Sequence, residues 1–298
     1  MRIKTKTAAE WKAVPATNRI AAVMEQARSH LRRTFSGMGD GIILFGGSGI
    51  GKNHLVHQVA SECGVEPLRS DPSSYHDVLR AFHEATHGLT KPRPVFFDEA
   101  ELIFNTVKNI NILKTATSTI RKDRYHADYT WWSEEEEETG DEIKIKKVKN
   151  HGTSLDAPII ALTNKNLHDF NPKEHQHFNA LFSRIQPIHI PDDPIAAWEY
   201  TVHLALTSQM MTVPVRVGKS IGLGGASLSA RVRAVEWFTA NLHNLSQVSP
   251  RTLQNAARTI TTSDMIDADL ALMLVPEDRR TTTPIVPQHD WQSIMLAM

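Results

Sequence analysis

The chain has one cysteine, Cys63, in 298 residues, which excludes an intrachain disulfide and any cysteine-rich zinc site and favours a reducing, cytoplasmic setting. It has no net charge either: 33 Lys and Arg residues balance 33 Asp and Glu residues. Any binding of nucleic acid must therefore come from a local basic patch, because no global field favours it. No stretch approaches the ~18 apolar residues of a membrane span. The basic start, Met1 to Lys6, is not followed by the apolar run of a secretion signal. A membrane role is not expected, and no internal repeat is visible. What is present is a 41% hydrophobic content, enough to bury a sizeable core in one large domain or two.

Along the chain, Ile20, Val23, Met24, Ala27 and Leu31 recur at helical spacing, which predicts a leading amphipathic helix from Thr17 to Phe35. Ile42-Ile43-Leu44-Phe45 is a short continuous apolar run, as in strands buried on both faces. Glycines follow it, and then a helical pattern from Asn53 to Cys63. A second strand is expected near Val65 to Arg69, a helix from Ser74 to His87, and a third strand at Pro94 to Phe97. One helix is expected from about Phe104 to Arg121, then a hairpin, then a buried strand at Ile159 to Leu162. A helix from Pro172 to Phe182 and a strand from Ile185 to Ile190 would complete a parallel sheet with helices on both faces. Beyond Pro191-Asp192-Asp193-Pro194 the sequence turns helical, at Ile195 to Met211, Leu228 to Leu242 and Pro250 to about Thr261, with Gly218, Gly222, Gly224 and Gly225 in a loop between the first two.

The segment Gly46-Gly47-Ser48-Gly49-Ile50-Gly51-Lys52 has the pattern G-x-x-x-x-G-K between an expected strand and an expected helix. Glycines let backbone N–H groups converge on phosphate oxygens, the helix N-terminus adds positive field, and the lysine reaches the terminal phosphates. Asn53 stands where a Ser or Thr hydroxyl normally meets magnesium, so weaker coordination of Mg2+ and slower hydrolysis of bound ATP are expected. His54 lies beside the loop. Asp98-Glu99, at the end of the third strand, offers one carboxylate to hold magnesium and a second to polarise an attacking water.

Taken in order, these motifs resemble the AAA+ family of P-loop ATPases over roughly residues 40 to 262. Thr163-Asn164 resembles sensor 1, Ser183-Arg184 the arginine finger that reaches a neighbouring subunit's nucleotide, and Ser249-Pro250-Arg251 sensor 2. The resemblance implies a three-layer α/β P-loop domain of the ASCE type with a C-terminal helical lid, nucleotide at their junction, and a homo-oligomer, usually a ring. Asn164, Arg184 and Arg251 would join Glu99 as catalytic groups. The implied organisation is an N-terminal segment (1–40), a nucleotide-binding domain (41–192), a lid (193–270) and a tail (271–298).

A hairpin before the sensor 1 strand, at about 124–152, resembles the insert of a group that includes viral replicative helicases. Its arm of Lys144, Lys146, Lys147 and Lys149, with Arg121, Lys122 and Arg124, would supply phosphate contacts, and Trp131-Trp132 would stack on bases. The run Glu134 to Glu138, read as its tip, would repel a phosphate backbone, so a solvated acidic turn or a protein contact stands beside a DNA contact. Residues 237–253 resemble the lids of ATPases encoded by bacteriophages and mobile elements, which would place the chain in a host cytoplasm. The expected work is that of a motor or loader in DNA replication, recombination or packaging. The alternative is a protein-remodelling ATPase or a slowly hydrolysing assembly switch. His83-Glu84-Ala85-Thr86-His87 also matches H-E-x-x-H, the pattern of a zinc hydrolase helix, but without a third ligand at either common spacing.

Overall fold

The apolar runs of the sequence lack alternation because the strands they form are covered on both faces. The computed structural model describes residues 6–118, 127–139, 142–170, 175–211, 216–217, 220–221, 226–262, 274–275 and 289–298. In chain order these form α1 (Ala8–Thr17), α2 (Arg19–Phe35), β1 (Gly41–Phe45), α3 (Lys52–Glu62), β2 (Leu68–Ser70), α4 (Tyr75–Thr86), β3 (Val95–Phe97), α5 (Glu101–Phe104) and α6 (Val107–Ala116). Then come β4 (Ala127–Thr139), β5 (Glu142–Thr153), β6 (Ile159–Thr163), α7 (His175–Phe182), β7 (Gln186–His189) and α8 (Pro194–Thr207). The short strands β8 (Arg216–Val217) and β9 (Ser220–Ile221) precede α9 (Leu228–Ala240), α10 (Pro250–Thr262) and α11 (Trp291–Ala297).

Two units result. The first comprises Glu25–Gly46 and Lys52–Ile190, and the second Met1–Met24, Gly47–Gly51 and Pro191–Met298. The first is built on a parallel sheet in the order β2-β3-β6-β1-β7. Ile43, Phe45, Val95, Phe97, Ile159 and Ala161 share one core with Phe82 of α4, Leu113 of α6 and Phe178 of α7. On the other face, His57 of α3 meets the Phe96 ring edge-on at 5.7 Å, and Glu62 of α3 pairs with Arg28 and Arg32 of α2. Sheet and helices make the expected three-layer α/β arrangement of a P-loop fold, followed by a helical C-terminal unit. Register sets the carboxyl ends side by side: Phe45 is level with Thr163, and Phe97 with Ala161.

Several expectations need correction. The helix expected from about Phe104 starts later, at Val107 in α6, behind the separate short helix α5, because Thr106 adopts an extended backbone and its side chain accepts from Asn109 N, capping a fresh start. Glu134 to Glu138 are not a tip. They lie in β4, with Glu134, Glu135 and Glu137 level with Lys147, Lys146 and Lys144 of β5, and the chain reverses between Thr139 and Glu142. An acidic run is a poor strand former on its own. Arg121, Lys122, Arg124 and the glycines Gly218, Gly222, Gly224 and Gly225 lie outside the described residues.

The helical unit closes its core around aromatic rings. Trp11 of α1 packs on Trp198 of α8 at 5.5 Å and on Trp291 of α11 at 5.6 Å, and His289 stacks on Trp291 at 4.4 Å. Thr7 and Glu10 cap α1 reciprocally, a capping box. Asn18 accepts from Ile20 N and Ala21 N and donates to Ala196 O, tying the start of α2 to α8.

His203 and His289 titrate below their ordinary value, in both cases first because burial penalises the charged ring, and for His289 also because Lys6 is near. In addition, His289 Nε2 accepts from Lys6 N, which needs a neutral nitrogen. Unfolded histidines titrate near ~6.5, so below that value the unfolded chain binds more protons than the folded one. Stability is therefore full above about pH 6.5 and is lost as pH falls through the lower folded values. A denaturant midpoint that drops between neutral pH and about pH 5, with a shallower drop in His289→Asn, is the expected result.

Candidate nucleotide-binding site

The turn after β1 is held open by glycine. Gly46, Gly49 and Gly51 have φ of +146°, +75° and +102°, a region that side-chain-bearing residues rarely enter. A Cβ on Gly46 would lie 2.8 Å from Ile190 Cβ, and one on Gly49 2.7 Å from Ser249 Oγ and 3.2 Å from Arg251 Cβ. At Gly47 nothing lies within 4 Å of an added Cβ. Ile50 is buried and anchors the loop, and His54 is exposed.

In the sheet unit, Lys52 opens α3 and is only 6% exposed. Nζ donates to Gly46 O at 2.5 Å and to Asn164 Oδ1 at 3.0 Å. The lysine of the loop and the polar residue after β6 are thus brought together. Asn53 Nδ2 donates to Asp98 Oδ2 at 2.6 Å. That contact fixes the amide orientation, since only its nitrogen can face a carboxylate.

The opposite atom, Asn53 Oδ1, is buried with no hydrogen-bond partner among the described residues. An orphaned amide oxygen beside a carboxylate is a pair of hard oxygen donors, and it fits a small divalent cation such as magnesium.

Glu99 follows at φ +56°, the one non-glycine residue with positive φ among the described residues. Such a conformation costs about 1–2 kcal/mol for a residue with a Cβ. Its side chain is exposed and makes no hydrogen bond or ion pair among the described residues.

Sequence reasoning missed three contributors. Arg69 at the end of β2 pairs with Asp98 Oδ2 at 2.9 Å. Glu101 Oε1 accepts from Asn164 N at 2.5 Å and Thr163 Oγ1 at 3.2 Å, binding the start of α5 to the end of β6. In the helical unit, Gln247 Nε2 donates to Ser48 O. Only Glu101 carried a signal, as a further carboxylate two residues past the acidic pair. Arg69 and Gln247 come from segments with no motif.

The two remaining arginines have separate settings. Arg251 is exposed in the first turn of α10, which Ser249 caps by accepting from Thr252 N, and its Cβ borders the Gly49 position within the helical unit. Arg184 is exposed between α7 and β7 and donates to Lys114 O at 2.5 Å, near the C-terminal end of α6. The zinc pattern does not assemble. His87 has left the helix as its C-cap with an extended backbone, and its ring stacks on that of His83 at 4.5 Å, so the two do not converge as chelators. Among the described residues no group of three His, Cys, Asp or Glu side chains could hold a metal, and no helix is long and apolar enough to cross a membrane.

No known family profile and no curated protein matches the chain. Among solved structures, it is similar to the crystal structure of the FIGL-1 AAA domain, with 13% identity, a TM-score of 0.45, and coverage of 93% of this chain and 80% of that one. It is also similar to NtrX from Brucella abortus in complex with ADP, with 17% identity, a TM-score of 0.41 and coverage of 92% of this chain. The match spans 58% of the NtrX chain. The parallel order β2-β3-β6-β1-β7, with a glycine loop leading from β1 into α3, itself defines the α/β P-loop fold.

Proposed function

We propose that the chain is an ATPase of the AAA+ type that binds ATP with Mg2+ and works as a homo-oligomer, as a motor or loader acting on DNA in replication, recombination or packaging. The observation that carries the reading is the convergence of Lys52, Asn53, Asp98 and Asn164 at the carboxyl edge of the sheet, beside a glycine loop. Lys52 is placed to exchange Gly46 O and Asn164 Oδ1 for phosphate oxygens. Asn53 and Asp98 would hold the magnesium, which neutralises phosphate charge when bound. Asn164 would orient the water and Glu99 would take its proton. Arg251 in the same chain and Arg184 of a neighbouring copy would meet charge that develops on the phosphates. A phage or mobile-element origin rests on the likeness of residues 237–253 alone.

The second reading, a slowly hydrolysing assembly switch or protein remodeller, is favoured by two features. Asn53 replaces a hydroxyl, and Asp98 is engaged by Arg69.

Turnover of ATP measured with and without DNA separates the readings. The motor predicts salt-sensitive stimulation, turnover per chain that rises with protein concentration, and loss of that rise in Arg184→Ala. Turnover indifferent to DNA favours the switch, and native turnover by Arg184→Ala removes the oligomeric site.

A further inference from the structure

The carboxylate expected to take the metal is already engaged twice. Asp98 Oδ2 receives both Asn53 Nδ2 at 2.6 Å and Arg69 Nη2 at 2.9 Å. Strand pairing holds the arginine there: Arg69 is level with Phe96 and Ser70 with Phe97, and Asp98 N donates to Ser70 O at 3.3 Å. The Asp98 side chain is 13% exposed and that of Arg69 52% exposed, so the arginine reaches in from the surface. A second acceptor waits outside, since Arg69 Nη2 also lies 3.6 Å from Asp71 Oδ2, on a side chain that is 61% exposed.

We infer that Arg69 is a positioning residue that acts through Asp98, competing with the divalent cation for the same carboxylate oxygen and thereby setting the magnesium concentration at which the site loads. The inference rests on the nucleotide reading of the site. The lone pairs of Oδ2 cannot serve two hydrogen-bond donors and a cation together, and a guanidinium beside the oxygen repels a second positive charge. Loading then requires Arg69 to leave, and Asp71 offers it a carboxylate on the solvent side. Because half of Arg69 is solvated, its hold is that of a partly exposed ion pair, and releasing it shifts cation affinity by about two- to fivefold.

The test is the affinity of a fluorescent, non-hydrolysable ATP analogue over a series of free magnesium concentrations, with native, Arg69→Gln and Arg69→Lys proteins and a thermal melt of each as the folding control. The expected result is a magnesium midpoint about two- to fivefold lower in Arg69→Gln, returning towards the native value in Arg69→Lys. A midpoint in Arg69→Gln equal to or above the native one, or no return in Arg69→Lys, overturns the competition while leaving nucleotide binding intact. Failure of the native chain to bind the analogue at any magnesium concentration overturns the nucleotide reading and this inference with it.

Discussion

Glu99→Gln is expected to lower ATP turnover by about 10²–10⁴-fold while leaving ATP affinity close to native. Glutamine keeps the size of the side chain but cannot accept a proton from water. The substitution removes no packing, because Glu99 is exposed and makes no bond among the described residues. Its backbone at φ +56° is the strained point of the β3 to α5 turn, and strain of this kind persists where the surrounding structure fixes it. Here the fixing contacts are adjacent: Asp98 N bonds to Ser70 O and Ala100 N to Leu162 O. Turnover of a single load of ATP separates chemistry from release, and an unchanged single-turnover rate in Glu99→Gln would remove it from the catalytic role.

Lys52→Ala is expected to weaken ATP binding by roughly 30-fold or more, the effect of losing one partner of a buried, hydrogen-bonded charge pair. Lys52 is nearly fully buried, and its acceptors Gly46 O and Asn164 Oδ1 lie where the loop begins and where β6 ends. No other basic side chain in the sheet unit is hydrogen-bonded to this pair of acceptors among the described residues. Thermal stability reports the same change independently. ATP at about a hundred times the native Kd stabilises the native fold by about 2.7 kcal/mol, and at the same concentration a 30-fold weaker variant gains only about 0.9 kcal/mol.

The sheet and the loop were legible because their signals are local. Ile42 to Phe45 and Ile159 to Leu162 are apolar at every position, and both strands are buried throughout, so periodicity, glycines and Lys52 point to one structure without knowledge of the rest. Where the sequence misled, distant residues decide. Glu134 to Glu138 read as a turn on composition, and only their register against β5 makes a strand of them. α11 has little helical pattern of its own, and its Trp291 is buried against Trp11, at the other end of the chain. Within the candidate site, Lys52, Asn53 and Asp98 were picked out by their motifs after buried strands, and Asn164 by the resemblance to sensor 1. Arg69 was not, since an arginine at the end of a short strand looks like any surface charge until the neighbouring strand sets Asp98 beside it. α1 could have been found from Thr7-Ala8-Ala9-Glu10, a capping pattern ahead of Trp11 and Val14.

The most direct test of the central claim, that the glycine loop and Lys52 form a nucleotide site, is an equilibrium titration of the native chain and Lys52→Ala with a fluorescent ATP analogue in magnesium, with unlabelled ATP as competitor. The account predicts saturable, ATP-displaceable binding to the native chain that Lys52→Ala weakens by roughly 30-fold or more. Equal affinity in the two proteins, or no saturable binding to the native chain, would contradict it.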